Sequence, residues 1–429
     1  MFFERPKSGE LAVLVHLNIS GIAEPEDPRE FEELVLSAGG DPVALITGSR
    51  QMPYSKFFVG TGKLEEIKAV LNECGAELVI FNHNLSPSQE RNIEEVLECR
   101  VLDRTGLILD IFAQRARTHE GKLQVELAQL EHMSTRLVRG WTHLERQKGG
   151  IGLRGPGESQ LETDRRLLRV RIKAINQRLE KVRKQRDQGR RSRQRADIPT
   201  VLIVGYTNAG KSTLFNHITA AGVYAADQLF ATLDPTMRRI DLPDTGAVVL
   251  GDTVGFIRHL PHKLVEAFRA TLEEAASADL LLHVVDAIDD DREGNIFEVK
   301  RVLTEIGADH IDCIEVYNKI DMVEDIAPRM ERDDSGRIAS VWLSAKTGQG
   351  SDLLLKAVDE YLAQEMLQGT VILTPEMAKI RANIYDLGIV ENEAYNDDGH
   401  SVVTVRVAKI DWLRLASAAK FPPDLLVTN

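Results

Sequence analysis

The amino-acid sequence predicts a multidomain α/β protein with four parts: a parallel-sheet N-terminal domain, an antiparallel helical hairpin, a doubly wound α/β domain and a small C-terminal α/β domain. Three observations support this prediction. The chain has 429 residues, which fits two to four domains of about 100 to 150 residues each. Short apolar runs alternate with helical stretches in two separate regions. Between those regions, apolar residues recur every three or four positions, as in paired helices.

The N-terminal domain is predicted over residues 1–115. The runs LAVLVHL, PVALITG, ELVIFN and RVLDR alternate with helical stretches, which is the rhythm of a parallel sheet. Ser86 and Gln89 have the spacing of a capping box, so a helix should begin there. The segment VGTGK, Val59 to Lys63, precedes another helical stretch. It lacks the spacing of a full phosphate loop, and we interpret it as a helix start.

The hairpin is predicted over residues 116–197. Two apolar stripes with heptad spacing flank the glycine-rich segment QKGGIGLRGPGESQ, which cannot continue a helix and suits a connection between paired helices. The first stripe contains Leu123, Leu127, Leu130, Leu137, Trp141 and Leu144. The second contains Leu161, Leu168, Ile172, Ile175, Leu179 and Val182.

Charge is distributed very unevenly along the chain. The formal net charge is −13, which argues against general attraction to nucleic acid. Residues 161–195, however, hold fourteen Lys or Arg against four Asp or Glu, a net +10 in 35 residues. This concentration favours a contact between the hairpin and RNA phosphates. The alternative is a solvated face of a charged helix.

The third part is predicted over residues 198–367, and six apolar runs there suit a doubly wound nucleotide-binding fold. They are TVLIVG, RRIDLP, AVVLGD, DLLLHVVDA, CIEVYN and ASVWLS. The fourth part, residues 368–429, contains the helical stretch EMAKIRANIYDLG, the strand SVVTVRVA and a second helix beginning at Lys409.

The cysteine pattern and hydropathy bear on the compartment. Cys74, Cys99 and Cys313 are far apart and include no CxxC pair, so neither a disulfide framework nor a zinc site is expected. No run of about 18 apolar residues occurs, and the charged start MFFERPKSGE does not resemble a signal peptide. We therefore expect a cytoplasmic protein without an integral membrane segment.

A phosphate loop, GYTNAGKS, follows the strand TVLIVG and precedes a helical stretch. In such a loop backbone amides and the helix N-terminus bind phosphate oxygens, a lysine contacts the β and γ phosphates, and a Ser or Thr hydroxyl binds Mg²⁺. Lys211 and Ser212 take these two roles. The predicted nucleotide contacts here are Gly205, Tyr206, Thr207, Asn208, Ala209, Gly210, Lys211, Ser212 and Thr213.

Three further motifs follow in the order expected of a GTP-binding domain. DTVG can hold the magnesium shell through its aspartate and the γ phosphate through its glycine amide. In NKID the carboxylate can accept from N1 and N2 of guanine, donors that adenine lacks, and SAK can present an amide to the guanine oxygen. The predicted contacts are Asp252, Thr253, Val254, Gly255, Asn318, Lys319, Ile320, Asp321, Ser344, Ala345 and Lys346.

A switch-one threonine, which binds Mg²⁺ and the γ phosphate, should lie between the phosphate loop and DTVG. The segment FATLDPT contains two candidates, Thr232 and Thr236. We prefer Thr232, since similar GTPases place the ligand in an A-T-L-type segment, and keep Thr236 as the alternative. The predicted metal ligands are Ser212 and Thr232, and the catalytic candidates are Lys211, Thr232 and Gly255. The nucleotide contacts predicted in this segment are Phe230, Ala231, Thr232, Leu233 and Asp234.

Two residues bear on the rate of hydrolysis. Phe256 stands where Ras-type proteins have the glutamine that orients the attacking water. A phenyl ring cannot do this, so we expect slow intrinsic turnover that depends on a rearrangement or a partner; the alternative is that Phe256 only packs the switch. In similar GTPases an asparagine at the position of Asn208 holds K⁺, which makes K⁺ a candidate cofactor beside Mg²⁺.

The segments GGIGLRGPGESQLETDRR, GYTNAGKS and FATLDPT, together with the basic hairpin, closely resemble the HflX family of GTPases over nearly the whole length. The resemblance implies a cytoplasmic GTPase that binds GTP, GDP and the large ribosomal subunit and splits stalled or idle ribosomes, with ribosome maturation as a further role. It implies rRNA contacts for residues Gly149 to Gln160, a mere helix connector being the alternative. It also leaves open ATP binding or RNA remodelling by the N-terminal domain, and we expect a monomer off the ribosome.

Two other classes of protein remain as alternatives. One is a regulatory GTPase that acts on a protein or membrane partner, with the basic hairpin meeting anionic lipid. The other is a scaffold in which nucleotide binding is purely structural. The presence of Lys211, Ser212 and Asp252 argues against the scaffold.

Overall fold

The structure is a computed structural model of the chain. It describes residues 9–20, 27–136, 160–195, 198–220, 229–230, 232–233, 235–258, 274–364, 366–386, 389–396, 399–408, 412, 415–416, 421–422 and 425–428. Among these residues no helix has both the length and the apolar character needed to cross a membrane.

The N-terminal domain is a parallel sheet with strand order β2-β1-β3-β4. Its strands are β1 (Leu11–Ile19), β2 (Asp41–Arg50), β3 (Leu78–Phe81) and β4 (Arg100–Leu102). Its helices are α1 (Pro28–Ala38), α2 (Thr61–Cys74), α3 (Pro87–Leu97) and α4 (Arg104–Arg115). Alternate residues of β1 pack against α1 and α4 on one face and against α2 and α3 on the other. Burial on both faces explains why β1 and β3 are almost continuously apolar.

The predicted capping box is present at the start of α3. The Ser86 hydroxyl accepts from the Gln89 amide at 3.2 Å, and the Gln89 side chain accepts from the Ser86 amide at 2.9 Å. Helix α4 was not predicted from the sequence. It is capped by Asp103, whose carboxylate accepts from the Gly106 amide at 2.8 Å, and residues Arg104–Leu109 are buried throughout. Burial on all sides leaves no amphipathic period to detect.

The hairpin helices are α5 (His119–Arg136) and α6 (Gln160–Arg195). Leu123, Leu127, Ile175 and Leu179 form a separate buried cluster, with Leu130 and Ile172 against it. This confirms that the two predicted apolar stripes pair over these six residues. Leu137, Trp141, Leu144 and residues 149–159 of the glycine-rich segment lie outside the described residues, so their predicted roles stay predictions.

The third part is a seven-stranded sheet with order β10-β11-β9-β8-β5-β7-β6. Its strands are β5 (Thr200–Gly205), β6 (Thr236–Leu242), β7 (Gly246–Asp252), β8 (Leu280–Asp286), β9 (Cys313–Asn318), β10 (Arg329–Arg332) and β11 (Ile338–Trp342). Its helices are α7 (Lys211–Thr219), α8 (Arg292–Glu305) and α9 (Ser351–Gln364). The six predicted strands are all present. The additional strand β10 is short and lies antiparallel to β11 at the edge of the sheet. Because it is polar, it has no apolar run that would have predicted it.

The C-terminal sheet is antiparallel, with order β13-β14-β12-β15. Its elements are β12 (Met366–Leu373), α10 (Ala378–Asp386), β13 (Val390–Tyr395), β14 (Ser401–Ala408) and β15 (Leu426–Thr428). Strand β12 runs across the predicted boundary between residues 367 and 368. The predicted strand SVVTVRVA coincides with β14. Most of the helix predicted from Lys409 lies outside the described residues.

Candidate functional site

The candidate site is a cleft of about 470 Å³ at the carboxyl ends of the parallel strands in the seven-stranded sheet. The phosphate loop follows β5, Asp252 ends β7, Asn318 ends β9, and Ser344 lies just after β11. In open α/β sheets ligands bind at this edge, because the loops after neighbouring strands meet there. The four motifs predicted from the sequence therefore converge on one place.

The phosphate loop requires glycine at two positions. Gly205 has φ 147° and Gly210 has φ 91°, conformations that side-chain-bearing residues rarely adopt. A Cβ at Gly205 would lie 2.2 Å from the Val284 carbonyl oxygen, and one at Gly210 would lie 2.2 Å from Nδ2 of Asn318. The loop leads directly into α7, so backbone amides and the helix N-terminus create a positive potential suited to phosphate.

Lys211 is buried at the first position of α7. Its Nζ donates to the carbonyl oxygen of Tyr206 at 2.6 Å. Burial lowers the pKa of Lys211 to about 8, opposed by the nearby charge of Asp252. A buried ammonium group with an anionic neighbour suits a site that receives phosphate charge.

Three oxygen-bearing side chains converge next to Lys211. The Ser212 hydroxyl lies 2.7 Å from Oγ1 of Thr232 and 2.7 Å from Oδ2 of Asp252. The other Asp252 oxygen, Oδ1, is buried and has no hydrogen-bond partner among the described residues, and burial raises the pKa of this carboxyl group. Hydroxyl and carboxylate oxygens are the ligands that Mg²⁺ prefers. These residues therefore fit a divalent cation, whereas Thr236 instead begins β6.

The base-binding end of the cleft is held together by side-chain hydrogen bonds. Asn318 donates to the Ala209 carbonyl oxygen at 2.8 Å and accepts from the Ala345 amide at 2.8 Å. Ser344 donates to Oδ1 of Asp321 at 2.6 Å. These hydrogen bonds join NKID and SAK to each other and to the phosphate loop.

Lys319 has φ 69° and extends along the same cleft. Its Nζ pairs with Oδ2 of Asp286 at 2.7 Å. Ile288 and Met322 also line the cleft, and sequence reasoning missed both. Neither residue belongs to a recognisable motif. Both reach the cleft because β8 and β9 lie side by side in the folded sheet, which the sequence does not indicate.

Not every predicted contact lines the cleft. Ala231 and Asp234 lie outside the described residues. Leu233 and Val254 belong to the apolar core that joins this domain to the N-terminal domain. The side chain of Tyr206 hydrogen-bonds to Glu30 of the N-terminal domain. Leu233 and Val254 therefore support the switch segments through the apolar core and do not line the cleft.

Phe256 is 2% exposed and lies in the same apolar core. Its amide donates to the Gly205 carbonyl oxygen at 3.1 Å, and its carbonyl oxygen accepts from the Thr207 amide at 2.7 Å. The ring packs the switch in this conformation, as the alternative interpretation expected. Slow, partner-dependent turnover stays a prediction, as does K⁺ binding by the exposed Asn208.

The VGTGK segment begins α2, with Gly60 at its N-cap. Lys63 donates to the Thr47 carbonyl oxygen at 3.1 Å and pairs with Glu66 at 2.7 Å. Val59 is buried. These contacts favour the helix-start interpretation, and ATP binding here stays a prediction.

Four family models match the chain in succession. Their descriptions are GTP-binding GTPase N-terminal over residues 26–113, GTP-binding GTPase Middle Region over 115–193, 50S ribosome-binding GTPase over 200–319, and HflX C-terminal domain over 330–417.

Whole-length relatives agree with these models. The GTPase HflX of Escherichia coli (strain K12) is 59% identical over 425 residues, covering 99% of this chain and 100% of the relative. The GTPase HflX of Caldanaerobacter subterraneus subsp. tengcongensis is 45% identical over 399 residues, covering 93% and 91%. A crystal structure of a GTP-binding protein from the archaeon Sulfolobus solfataricus in complex with GDP is 25% identical, covers 83% of this chain and 99% of that chain, and has a TM-score of 0.44.

Proposed function

The chain belongs to the HflX family of GTPases, and from that premise we propose that it binds the large ribosomal subunit and separates stalled or idle ribosomes. Hydrolysis of GTP to GDP and phosphate then resets the protein. A role in ribosome maturation is part of the same proposal. The family model described as a 50S ribosome-binding GTPase, matched over residues 200–319, supports it.

The cleft has the groups that bind the phosphates and the cation. The loop from Gly205 to Gly210 and the N-terminus of α7 bind the phosphates, and Lys211 neutralises charge on the β and γ phosphates. Ser212 and Thr232 would hold Mg²⁺, with Asp252 beside them. A bound Mg²⁺ supplies charge neutralisation for phosphoryl transfer to water.

The observation that carries the ribosomal part of the proposal is the exposed basic surface of α6. Between residues 166 and 184 the apolar residues Ile175 and Leu179 face α5, while the Lys and Arg side chains are exposed. A helix with such a face attracts phosphates in RNA, with an affinity that falls steeply as salt rises. The exposed cations are Arg166, Arg169, Arg171, Lys173, Arg178, Lys181, Arg183 and Lys184.

Co-sedimentation with purified large subunits tests this assignment. The hairpin variant replaces Arg178, Lys181 and Lys184 with glutamate, which leaves the apolar residues facing α5 intact. With a GTP analogue and Mg²⁺ present, we expect wild type to pellet with the subunits and the hairpin variant to lose at least about tenfold in affinity. Binding of wild type should also weaken as salt is raised.

A matched control variant changes the net charge by the same amount at positions outside the hairpin. Arg337, Lys356 and Lys379 are exposed outside the hairpin, and glutamate at these three positions should leave subunit binding within about twofold. Equal losses in both variants, or no binding by wild type, would contradict the proposal. Flotation of wild type with anionic vesicles in place of subunit binding would support the regulatory alternative with a membrane partner.

The remaining expectations belong to the same proposal. We infer a monomer off the ribosome, K⁺ as a second cation held by Asn208, and rRNA contacts for residues 149–160. Sucrose-gradient analysis of assembled ribosomes with GTP tests the splitting step directly. If subunit binding is retained while assembled ribosomes stay intact, the maturation role gains support over splitting.

A further inference from the structure

Thr207 of the phosphate loop lies beside the residue that replaces the water-orienting glutamine. That residue is Phe256, and its ring is packed in the apolar core. The Thr207 amide donates to the Phe256 carbonyl oxygen at 2.7 Å. A Cβ on Gly255 would lie 2.9 Å from the methyl carbon of Thr207 and 3.1 Å from Nζ of Lys211. Thr207 is therefore next to the glycine and the lysine that we assign to the γ phosphate.

The hydroxyl of Thr207 is buried and has no hydrogen-bond partner among the described residues. A buried hydroxyl in this situation costs about 1 to 3 kcal/mol, because it has lost its contacts with water and gained none in the protein. Folded proteins contain few such groups. Residues that break a rule of this kind at a cost in stability are often found at functional sites. The Thr207 hydroxyl therefore has hydrogen-bonding capacity that the described part of the chain does not use.

Four other described residues of the cleft carry side-chain hydroxyls, namely Ser212, Thr213, Thr232 and Thr253. Ser212 and Thr232 hydrogen-bond to each other in the cation site. Thr253 donates to a backbone carbonyl oxygen of β5 at 2.7 Å. Thr213 is exposed on the first turn of α7. Thr207 is thus the described residue of the cleft whose hydroxyl is both buried and unpaired.

We propose that the Thr207 hydroxyl is a catalytic group that orients the water attacking the γ phosphate. In the described conformation the methyl group of Thr207 faces Gly255. Rotation of χ1 between staggered positions brings the hydroxyl to the place of the methyl group. The need for this rotation agrees with the slow intrinsic turnover that we predict from Phe256. The proposal deepens the hydrolysis step of the proposed function and rests on that step, whereas it does not depend on ribosome binding.

A hydroxyl suits this role because it accepts a hydrogen bond from the water and donates its own hydrogen to a phosphate oxygen. The water oxygen then forms a bond to the γ phosphorus, and the bond between this phosphorus and the β–γ bridging oxygen breaks. The electron pair of the broken bond leaves with GDP. The proton lost by the water passes to an oxygen of the phosphate product, so Thr207 keeps its own hydrogen throughout.

Single-turnover hydrolysis of GTP by the full chain, in buffer with Mg²⁺ and K⁺, tests this role. Thr207→Val keeps the shape of the side chain without the hydroxyl. Its rate should fall at least about tenfold, while its affinities for a GTP analogue and for GDP stay within about twofold of wild type. Thr207→Ser keeps the hydroxyl and should retain at least about a third of the rate. Thr304→Val makes the same change on an exposed residue of α8 outside the cleft and should leave the rate within about twofold.

Thermal unfolding of the nucleotide-free chain separates this role from a structural one. Thr207→Val removes an unpaired buried hydroxyl, so the variant should be at least as stable as wild type. An unfolding midpoint lowered by more than about 4 °C would show a structural partner for the hydroxyl and would overturn the proposal. So would an unchanged rate in Thr207→Val, or a rate in Thr207→Ser as low as that of Thr207→Val. No hydrolysis by wild type would instead overturn the hydrolysis step of the proposed function, and this proposal with it.

Discussion

Ser344 donates its hydroxyl proton to Oδ1 of Asp321 at 2.6 Å, although the two residues are 23 positions apart in the chain. The hydroxyl thereby fixes the carboxylate that we assign to guanine, and Asn318 ties the same region to the phosphate loop. A carboxylate that recognises guanine must keep a fixed position. If it could move, it could also pair with another base, and selectivity for guanine depends on leaving the polar groups of the wrong base unpaired.

Replacing Asp321 by asparagine should move the preference from guanine to xanthine. The asparagine oxygen can still accept from N1, while its NH₂ group donates to the carbonyl at C2 of xanthine but would face the 2-amino donor of guanine. Nucleotide competition should show at least about a tenfold loss for GTP and a gain for XTP. Asp309→Asn, an exposed carboxylate that does not line the cleft, is the control. Unchanged GTP affinity in Asp321→Asn would show that base recognition lies elsewhere.

The two threonines of the switch-one segment allow a direct comparison. Thr232→Ala removes a hydroxyl next to Ser212 and Asp252, so hydrolysis at saturating GTP should fall by at least about tenfold and require more Mg²⁺. Thr236→Ala changes the first residue of β6 and should stay within about threefold. The reverse ranking of the two variants would transfer the ligand role to Thr236.

The cluster between α5 and α6 should be important for stability. Leu179 is 7% exposed, and Leu179→Ala should destabilise the hairpin by about 2 to 4 kcal/mol because it leaves a cavity. Leu167→Ala on the same helix changes a side chain that is 56% exposed and should cost less than about 0.5 kcal/mol. Thermal unfolding followed by helical circular dichroism measures both. Equal, small effects would mean that the helices pair only weakly.

His283 predicts one component of the pH dependence of stability. Burial lowers the pKa of this side chain to about 4 from 6.5, so the folded state favours the neutral ring. The neutral ring's contribution to the free energy of unfolding is fully present above 6.5, the ordinary pKa of the histidine side chain. This contribution is lost as pH falls from 6.5 toward 4. Between about pH 7.5 and about pH 5.5, wild type should lose roughly 1 kcal/mol of unfolding free energy relative to His283→Gln. Parallel pH profiles of the unfolding midpoint in the two proteins would refute this assignment.

The sequence was sufficient for most of the fold because its signals are local. Parallel strands such as β1 and β5 are buried on both faces, which leaves apolar runs that are easily recognised. Helix α4 and strand β10 lack such signals. The first is buried on all sides over its first six residues, and the second is a four-residue polar edge strand. Their existence depends on neighbours that are distant in the chain.

The site was predictable for a related reason, since each motif follows its own strand and parallel strands end at one edge of the sheet. The sequence favoured Thr232 over Thr236, but the position of Thr232 beside Ser212 needed the structure. So did the contribution of the N-terminal domain. The contacts of Glu30 with Tyr206 and Arg104 join residues 176 and 74 positions apart, and no spacing in the sequence indicates them.

The most direct test of the central claim is the rate of GTP hydrolysis by the full chain with and without purified large ribosomal subunits, in buffer containing Mg²⁺ and K⁺. Phe256 is packed in the core and a phenyl ring cannot orient water, so we expect the partner to complete the site. We predict slow turnover alone and acceleration of at least about tenfold with subunits. The acceleration should weaken in the hairpin variant. Equal rates with and without subunits, at concentrations where the subunits are in excess, would contradict the account.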